Sequence, residues 1–496
     1  MRNLTDLLGS LPLSYHIEGP ADIPISHITA DTRQVQPGSL FVAWKGKTQD
    51  GHRFIPEAIA KGAHAVVYQE PIDFPQSFTR IRVDDSRAAY GHLCRAWFDF
   101  PDRGMRLIGI TGTNGKSSTA YYIYQIWRGL GRAAGLIGTV FCLAGDEKLP
   151  ATLTTPDSYE LYRLLARFRQ KGITHTVMEV SSIALDQHRT AGLSFDGAIF
   201  TNLTHDHLDY HGTFLHYRDS KKRLFDGLSP RSFALTNKDD KHGAFMLQNT
   251  AASSYYYTLE SVGDFYMRLE EVSLHGLSYR LGKAGTPESP SLHAALVGRF
   301  QAYNLLAAVA AVYLIEQQEA VWENLFSLST RLIPLPGRME PVLLPEDKIG
   351  IVDYAHTPDA VENVLRTLRG LVSRGELIAV LGAGGDRDRT KRAPMASAAI
   401  RYADRVILTS DNPRSEDPQQ ILSDMEQGIP ASHRHRFLRI TDRAEAIRTA
   451  VLMAPPHSII AVLGKGHETY QEIQGVRYPF SDRDVLLSQV GGAHAG

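Results

Sequence analysis

"RLIGITGTNGKSSTAYYIYQIW", Arg106 to Trp127, decides the architecture. Its first half is a short apolar run of strand type, and its last part reads as a helix. Between them lies "GTNGKSS", where glycines let backbone N–H groups approach an anion at the N-terminus of the helix. In that reading Gly112, Thr113, Asn114, Gly115 and Ser118 frame a phosphate. Lys116 reaches the β- and γ-phosphates, and the Ser117 hydroxyl serves Mg²⁺. The spacing departs from the usual pattern, because the position five residues before Gly115 is Ile110 and the glycines fall at Gly109 and Gly112. A tight turn with an exposed lysine is the bland alternative. Flanking strand and helix weigh against it.

Outward from this loop the chain divides into three expected domains, residues 1–103, 104–332 and 333–496. The first contains a strand in "SLFVAWKG", a helix in "RFIPEAIAKG" and a strand in "AHAVVYQ", and ends in the linker "FDFPDRGMR". The second adds strands "THTVMEV" and "DGAIFTNL". An antiparallel appendage is expected over 253–279, followed by the helix "QAYNLLAAVAAVYLIEQ". The third alternates strand and helix from "IGIVDYAH" to "SIIAVLGKG", which implies βαβ units and a parallel sheet. Ligands of such sheets sit beyond the carboxyl ends of the strands. "DYAH", "GAGGDRDRTKR", "SDNPR" and "GKGHE" all follow strands there. The fold class is therefore α/β with three domains: a small N-terminal α/β domain, a central P-loop-type ATPase domain with a mostly parallel sheet, and a C-terminal Rossmann-like domain.

The 496 residues are 43% hydrophobic and 22% charged, an ordinary balance for a soluble protein with a full core. A net charge of -1 offers no global electrostatic case for nucleic acid or anionic membrane. Two cysteines, Cys94 and Cys142, are too few for a disulfide framework. The start lacks the pattern of a signal peptide, and no apolar run is long enough to span a membrane. A cytoplasmic protein is expected.

A second segment demands a reading. "THDHLDYH", Thr204 to His211, offers His205, His207, Asp209 and His211. Zinc hydrolases of the metallo-β-lactamase type use H-x-H-x-D-H, whereas the spacing here is one residue longer, so ring nitrogens would converge differently. A solvated loop is the bland reading. In a third, one histidine serves the Mg²⁺ that accompanies ATP, with Glu179 at the end of "HTVMEV" as carboxylate. Magnesium prefers oxygen donors, so a further anionic ligand is required.

"GTNGKSS", "TTPDS", "EVSSIALDQHR", "TNLTHDHLDYHGT", "YRDSKKRLF", "PGRME", "DYAHTPDA", "GAGGDRDRTKR", "SDNPRSEDP" and "GKGHE" occur in order over nearly the whole chain. Together with "DTRQVQPGSLFVAWKG", they resemble the Mur ligases, the ATP-dependent amino-acid-adding enzymes of peptidoglycan synthesis. The resemblance is strongest to the branch that adds meso-diaminopimelate to UDP-MurNAc-L-Ala-D-Glu. It implies that Lys221 is carbamylated, turning a cation into an anionic oxygen donor, although Ser220 replaces the usual alanine. Glu179, His207 and the modified Lys221 would then serve magnesium, with Ser117 at a second ion and Lys116, His207 and Lys221 as the catalytic set. Thr32, Thr154, Thr155, Ser181, Gln187 and Arg189 would hold the UDP-muramyl-dipeptide, and Asn304, Arg338 and Asp353 the nucleotide. Arg387, Asp411, Asn412, Pro413, Arg414, Gly464 and Glu468 would form the diaminopimelate pocket, with Arg414 on its distal carboxylate. Ile183 stands where the family usually has histidine. For each lone Thr or Ser a capping role is the competing reading, and for Arg414 a salt bridge to Glu416 or Asp417.

Acyl phosphate formation from ATP followed by attack of an amine is the implied reaction, with His207 and His356 as motif candidates for the base. A monomer is expected, with ATP, Mg²⁺ and the two small substrates as its partners. Within the class the rival adds L-lysine. A folylpolyglutamate-synthase-like ligase, a zinc hydrolase and a nucleotide switch are the others.

Overall fold

The computed structural model describes residues 1–46, 49–73, 78–204 and 206–490. By contacts it forms two compact units: Met1–Tyr266 with Asn304–Leu325, and Met267–Tyr303 with Phe326–Gly496. Among the described residues no helix is long and apolar enough to cross a membrane.

The first unit holds two sheets. A five-stranded sheet runs Tyr15–Glu18, Thr79–Val83, Ala65–Tyr68, Ser39–Val42, His27–Thr29, antiparallel only at its first pair. The larger sheet runs Glu147–Leu149, Cys142–Ala144, Ala134–Ile137, His175–Glu179, Arg106–Thr111, Gly197–Phe200, Phe233–Asn237, Ser253–Thr258. The two pairs made by Cys142–Ala144 are antiparallel and the other pairs of this run parallel. All six residues of Arg106–Thr111 but the first are buried, as a strand covered on both faces requires.

The expected antiparallel appendage over 253–279 is corrected here. Ser253–Thr258 extends the parallel sheet beside Phe233–Asn237, and Phe265–Ser273 begins parallel to it. The short helix Gly243–Met246 between the first two supplies the crossover that parallel neighbours need. Antiparallel structure begins with the next neighbour, since Phe265–Ser273 and Gly276–Lys283 adjoin across a two-residue turn that only a hairpin can make. Gly276–Lys283 then pairs antiparallel with Leu292–Ala294, so the appendage holds for the later part of the segment alone.

One core joins the two sheets of the first unit. Leu93 and Cys94 of helix Ser86–Trp97 are buried with Leu161, Tyr162 and Leu165 of helix Ser158–Gln170. Gly91 of the first helix lies against the segment after helix Ser182–Asp186, where a Cβ would lie 2.7 Å from Ala191.

The second unit contains a six-stranded sheet ordered Glu340–Leu343, Ile349–Asp353, Ile459–Leu463, Leu377–Leu381, Arg405–Leu408, Phe437–Arg439. Only the first pair is antiparallel. Helices Pro358–Arg369 and Arg392–Tyr402 pack with one apolar cluster and Arg443–Met453 with another. Asp353, Leu381, Leu408 and Leu463 therefore end their strands at one rim.

Behind that rim lies a buried ion pair. Arg443 and Asp482 have fully buried side chains, joined by bonds of 2.7 and 2.8 Å, and Arg443 also donates to the Leu463 carbonyl at 3.0 Å. Removing one partner leaves a charge in apolar surroundings. Asp482→Ala is expected to lower the unfolding free energy of this unit by about 3–5 kcal/mol, read as a shift in its urea transition.

Candidate functional site

Strand register builds the first site. Glu179 lies opposite Ile110, and Phe200 opposite Thr111, so three parallel strands deliver their carboxyl-terminal residues to one edge. The chain leaves Thr111 through Gly112, at φ 149°, and Gly115, at φ 85°, backbone conformations that favour glycine. A Cβ on Gly112 would lie 1.9 Å from Thr201 Oγ1, and one on Gly115 2.4 Å from Asn304 Oδ1. Asn304 thus sits against the loop, and Thr119 donates to it at 3.4 Å.

Helix Lys116–Gly129 begins at Gly115 with no side-chain cap, which leaves its first N–H groups available to an anion. The loop is pinned from the neighbouring strand end. Thr113 N donates to the Asn202 carbonyl at 2.8 Å, Asn114 N to Asn202 Oδ1 at 3.0 Å, and Thr201 Oγ1 to the Asn114 carbonyl at 2.6 Å. Lys116 Nζ folds back on the Gly112 and Thr113 carbonyls at 3.0 and 2.9 Å. Ser118 is buried.

Ser117 Oγ donates to Glu179 Oε2 at 2.8 Å, and Glu179 is 1% exposed. Lys221, also 1% exposed, lies on helix Phe214–Asp226. Its Nζ donates to the Gly112 carbonyl at 2.8 Å and stands 4.5 Å from the centre of the Tyr217 ring. Burial, and then the positive charge of Lys116, hold its amine well below the usual lysine range, against the pull of Asp206. The loop thus gathers a hydroxyl, a buried carboxylate and a buried amine whose charged form is disfavoured by its surroundings.

Tyr217 ties this helix to the loop, its hydroxyl 3.0 Å from Thr113 Oγ1. His207 stands 6.1 Å ring to ring from Tyr217, at φ 52°, where helix Leu208–His211 starts. Burial lowers its pKa, with Lys116 and Lys221 adding to the effect and Asp206 opposing it.

The other histidines of the segment have separate partners. His211 Nε2 meets Ser182 Oγ at 3.0 Å, and His216 Nε2 meets Asp186 Oδ1 at 3.1 Å. His205 lies outside the described residues. Among the described residues no group of three His, Cys, Asp or Glu side chains is gathered for a metal.

Beside Glu179 the residues expected at the dipeptide form a connected set. Thr155 Oγ1 donates to the Glu179 carbonyl at 2.9 Å, and Ser181 Oγ accepts from Ala184 N at 3.2 Å, capping helix Ser182–Asp186. Ser181 thus has the capping role weighed in the sequence, whereas Thr155 bonds the backbone of a distant segment. Arg189 donates to the Thr155 carbonyl at 2.8 Å and to Gln187 Oε1 at 2.7 and 3.0 Å. Gln187 Nε2 reaches Tyr210 Oη at 3.2 Å, and Tyr210 donates to Asp186 at 3.0 Å. Thr32 opens a 3₁₀ turn capped by Asp31, and its carbonyl accepts from Lys61 Nζ at 3.0 Å. It shares no bond with this set.

The rim of the second unit carries its own site. Asp353 accepts from Met339 N at 2.8 Å and Ala355 N at 2.9 Å, and burial raises its pKa, against the pull of Arg338. Arg338 stacks over Tyr354 at 5.0 Å, and its Nε is buried with no hydrogen-bond partner among the described residues. Opposite, Asn412 Nδ2 and Lys465 Nζ both donate to Glu468 Oε2 at 2.8 Å, and Lys465 also donates to Asn412 Oδ1 at 3.0 Å. A Cβ on Gly464 would lie 2.6 Å from Asp411 Oδ2. Asp411, Asn412 and Pro413 are buried.

Arg414, at φ 53°, donates through Nη1 to the Gly385 carbonyl at 2.7 Å. Neither expected acidic neighbour pairs with it. Glu416 is held by Arg392 at 2.8 Å and Arg389 at 3.0 Å, and the Arg392 hydrogen bond draws its pKa down to about 2. Asp417 caps helix Pro418–Glu426. Arg387 is exposed on the loop that follows strand Leu377–Leu381 and carries Gly385.

Sequence reasoning missed Lys465, Tyr210, Tyr217 and Asp186 as site neighbours. All four lay inside quoted motifs, and only their burial and partners distinguish them.

Three family models match in order: the Mur ligase family, catalytic domain, over residues 24–97; the Mur ligase middle domain over 110–312; and the Mur ligase, glutamate ligase domain over 337–466. The chain is 45% identical over 473 residues to the UDP-N-acetylmuramoyl-L-alanyl-D-glutamate--2,6-diaminopimelate ligase of Cytophaga hutchinsonii, covering 95% of each. It is 42% identical over 500 residues to the ligase of that name from Geobacillus thermodenitrificans, covering 98% of this chain and 99% of the other. A solved structure bearing the same enzyme name matches with a TM-score of 0.68 at 35% identity, over 94% of this chain and 95% of that one. Mycobacterium tuberculosis folylpolyglutamate synthase, solved with ADP and AMPPCP, matches with a TM-score of 0.60 at 19% identity over 75% of this chain and 91% of the other, a likeness of fold alone.

Lys221 gives this site a pH signature. Its folded pKa lies below the unfolded value of 10.5, so unfolding takes up a proton wherever the pH falls between the two. That penalty is present at pH 7 and disappears as the pH rises through the unfolded pKa. In bicarbonate-free buffer Lys221→Met is expected to gain stability over the parent at pH 7, and urea titrations should find the gap narrowing toward pH 10.5.

Proposed function

The chain belongs to the Mur ligase family, and from that premise we propose that it joins meso-2,6-diaminopimelate to the D-glutamyl γ-carboxyl of UDP-MurNAc-L-Ala-D-Glu at the expense of ATP. Near full-length identity to ligases named for that reaction supports the assignment. The observation that carries it on this chain is Arg414. Its guanidinium pairs with no carboxylate among the described residues, while Glu416 and Asp417 are otherwise engaged. An arginine of that kind fits the distal carboxylate of diaminopimelate, which L-lysine lacks.

In the proposed reaction the γ-carboxylate attacks the terminal phosphorus of ATP, giving an acyl phosphate and ADP. The amine of diaminopimelate then attacks the acyl carbon, and inorganic phosphate leaves as the tetrahedral intermediate collapses. Lys116 and the uncapped N–H groups of helix Lys116–Gly129 stabilise phosphoryl charge, so catalysis is chiefly positioning and electrostatics. Asn304 beside Gly115, together with Arg338 and Asp353, is assigned to the nucleotide. The buried unpartnered Nε of Arg338 is a donor waiting for an acceptor. Glu468, with Asn412, is assigned to the distal ammonium, and Arg387, Asp411, Pro413 and Gly464 to the same pocket. Thr32, Thr154, Thr155, Ser181, Gln187 and Arg189 are assigned to the UDP-muramyl-dipeptide.

The donor set fits Mg²⁺. Mg²⁺ is bound through one or two carboxylates plus substrate phosphates, and Glu179 with the Ser117 hydroxyl supplies the protein side. Lys221 as a carbamate would add a second anion, and a buried amine that favours its neutral form suits that modification. His207 would complete the set. Bound there, Mg²⁺ would screen the phosphoryl charges that repel the incoming carboxylate. We further assign residues 1–103, 104–332 and 333–496 to the UDP-substrate, ATP and amino-acid domains, and a cytoplasmic monomer to the native state.

ADP release should require both the UDP-muramyl-dipeptide and diaminopimelate, and activity with L-lysine alone would overturn the assignment. Arg414→Ala is expected to raise KM for diaminopimelate roughly 10–100-fold, the loss of about 1.5–3 kcal/mol, with KM for ATP little changed. Lys221→Ala is expected to abolish turnover, with partial recovery in added short carboxylic acids, and an active unsupplemented variant would refute the carbamate.

A further inference from the structure

Thr139 lies just beyond strand Ala134–Ile137, and no motif marks it. Ile137 pairs with Met178, so the next residues in register run beside Glu179. Thr139 N donates to Glu179 Oε1 at 2.7 Å, and Thr139 Oγ1 donates to Glu179 Oε2 at 3.1 Å. Ser117 Oγ reaches that same Oε2 at 2.8 Å. Thr139 Oγ1 also lies 3.1 Å from Thr154 Oγ1. A hydroxyl has one proton to give, so with Thr139 donating to the carboxylate, Thr154 donates to Thr139. Gly138 leaves no freedom at this joint, because a Cβ there would stand 2.6 Å from Glu179 Oε1.

We infer that Thr139 is a positioning residue that holds the Glu179 carboxylate in the plane facing Ser117 and links it to Thr154 on the substrate side. This rests on the metal role proposed for Glu179. The carboxylate is buried, and among the described residues these donors alone define its orientation, two of them from Thr139. Hydrogen-bonding partners of metal-binding groups alter metal affinity by roughly 10–100-fold when removed. Thr139→Val keeps the N–H donor and removes the hydroxyl, and Thr139→Ser restores it.

The test counts Mn²⁺ bound to the ADP-saturated enzyme by electron paramagnetic resonance, a readout independent of turnover. Thr139→Val is expected to weaken Mn²⁺ binding about tenfold, with Thr139→Ser within about twofold of the parent. Equal Mn²⁺ affinity in Thr139→Val and the parent, alongside weakened binding in Glu179→Gln, would overturn the inference while leaving Glu179 as a metal ligand. Unchanged affinity in Glu179→Gln would overturn the metal role itself, and the inference with it. Equal weakening in the valine and serine variants would reduce Thr139 to a packing role and also overturn it.

Discussion

Three adjacent parallel strands, Arg106–Thr111, His175–Glu179 and Gly197–Phe200, end in step at one edge, and the chemistry of the first unit follows from that register. A parallel ladder ties each residue to a neighbour of fixed position, so a one-residue slip would turn Glu179 to the opposite face. In register, Glu179 stands beneath Ser117 while Thr201 and Asn202 secure the loop at 112–115 from the other side. The glycines at 112 and 115 are the local price of threading that loop between two strand ends and Asn304.

The buried groups at this edge differ in how well they are compensated. Glu179 receives hydrogen bonds on both carboxylate oxygens, which is what a buried anion requires. Lys221 has a carbonyl and the face of Tyr217, with Lys116 nearby, an environment that disfavours the ammonium. A purely structural core would have little use for a lysine there. The arrangement makes sense if the amine acquires a negative charge by carbamylation and joins Glu179 in holding a cation.

In the second unit recognition depends on which charges are already occupied. Arg392 and Arg389 engage Glu416, while Lys465 and Asn412 hold one oxygen of Glu468. Arg414 is kept in a left-handed backbone conformation, its N–H donating to the Glu472 carbonyl at 3.0 Å and its carbonyl accepting from Gln474 N at 2.7 Å. Its side chain hydrogen-bonds only a backbone carbonyl among the described residues. The rim therefore presents a cation and a carboxylate whose other partners are fixed, and the proposed choice between amino acids rests on that arrangement.

Much of this was legible in the chain. Alternating apolar runs and helices announced parallel sheets, because burial on both faces leaves an unbroken apolar strand. "GTNGKSS" announced a strand-to-helix turn whose backbone at Gly112 and Gly115 favours glycine. The order of ten short motifs identified the family. What the sequence could not decide was partnership across distant segments. Ser253–Thr258 looked like an antiparallel strand because its composition suits either pairing, and only its neighbours choose. Thr139 carries no motif, since its part in the site comes from strand register. Glu416 and Arg414 are two residues apart, yet Glu416 pairs with arginines of another loop and helix. Local propensity and motif order are written along the chain, whereas burial and the choice of charge partner exist only once distant segments are packed together.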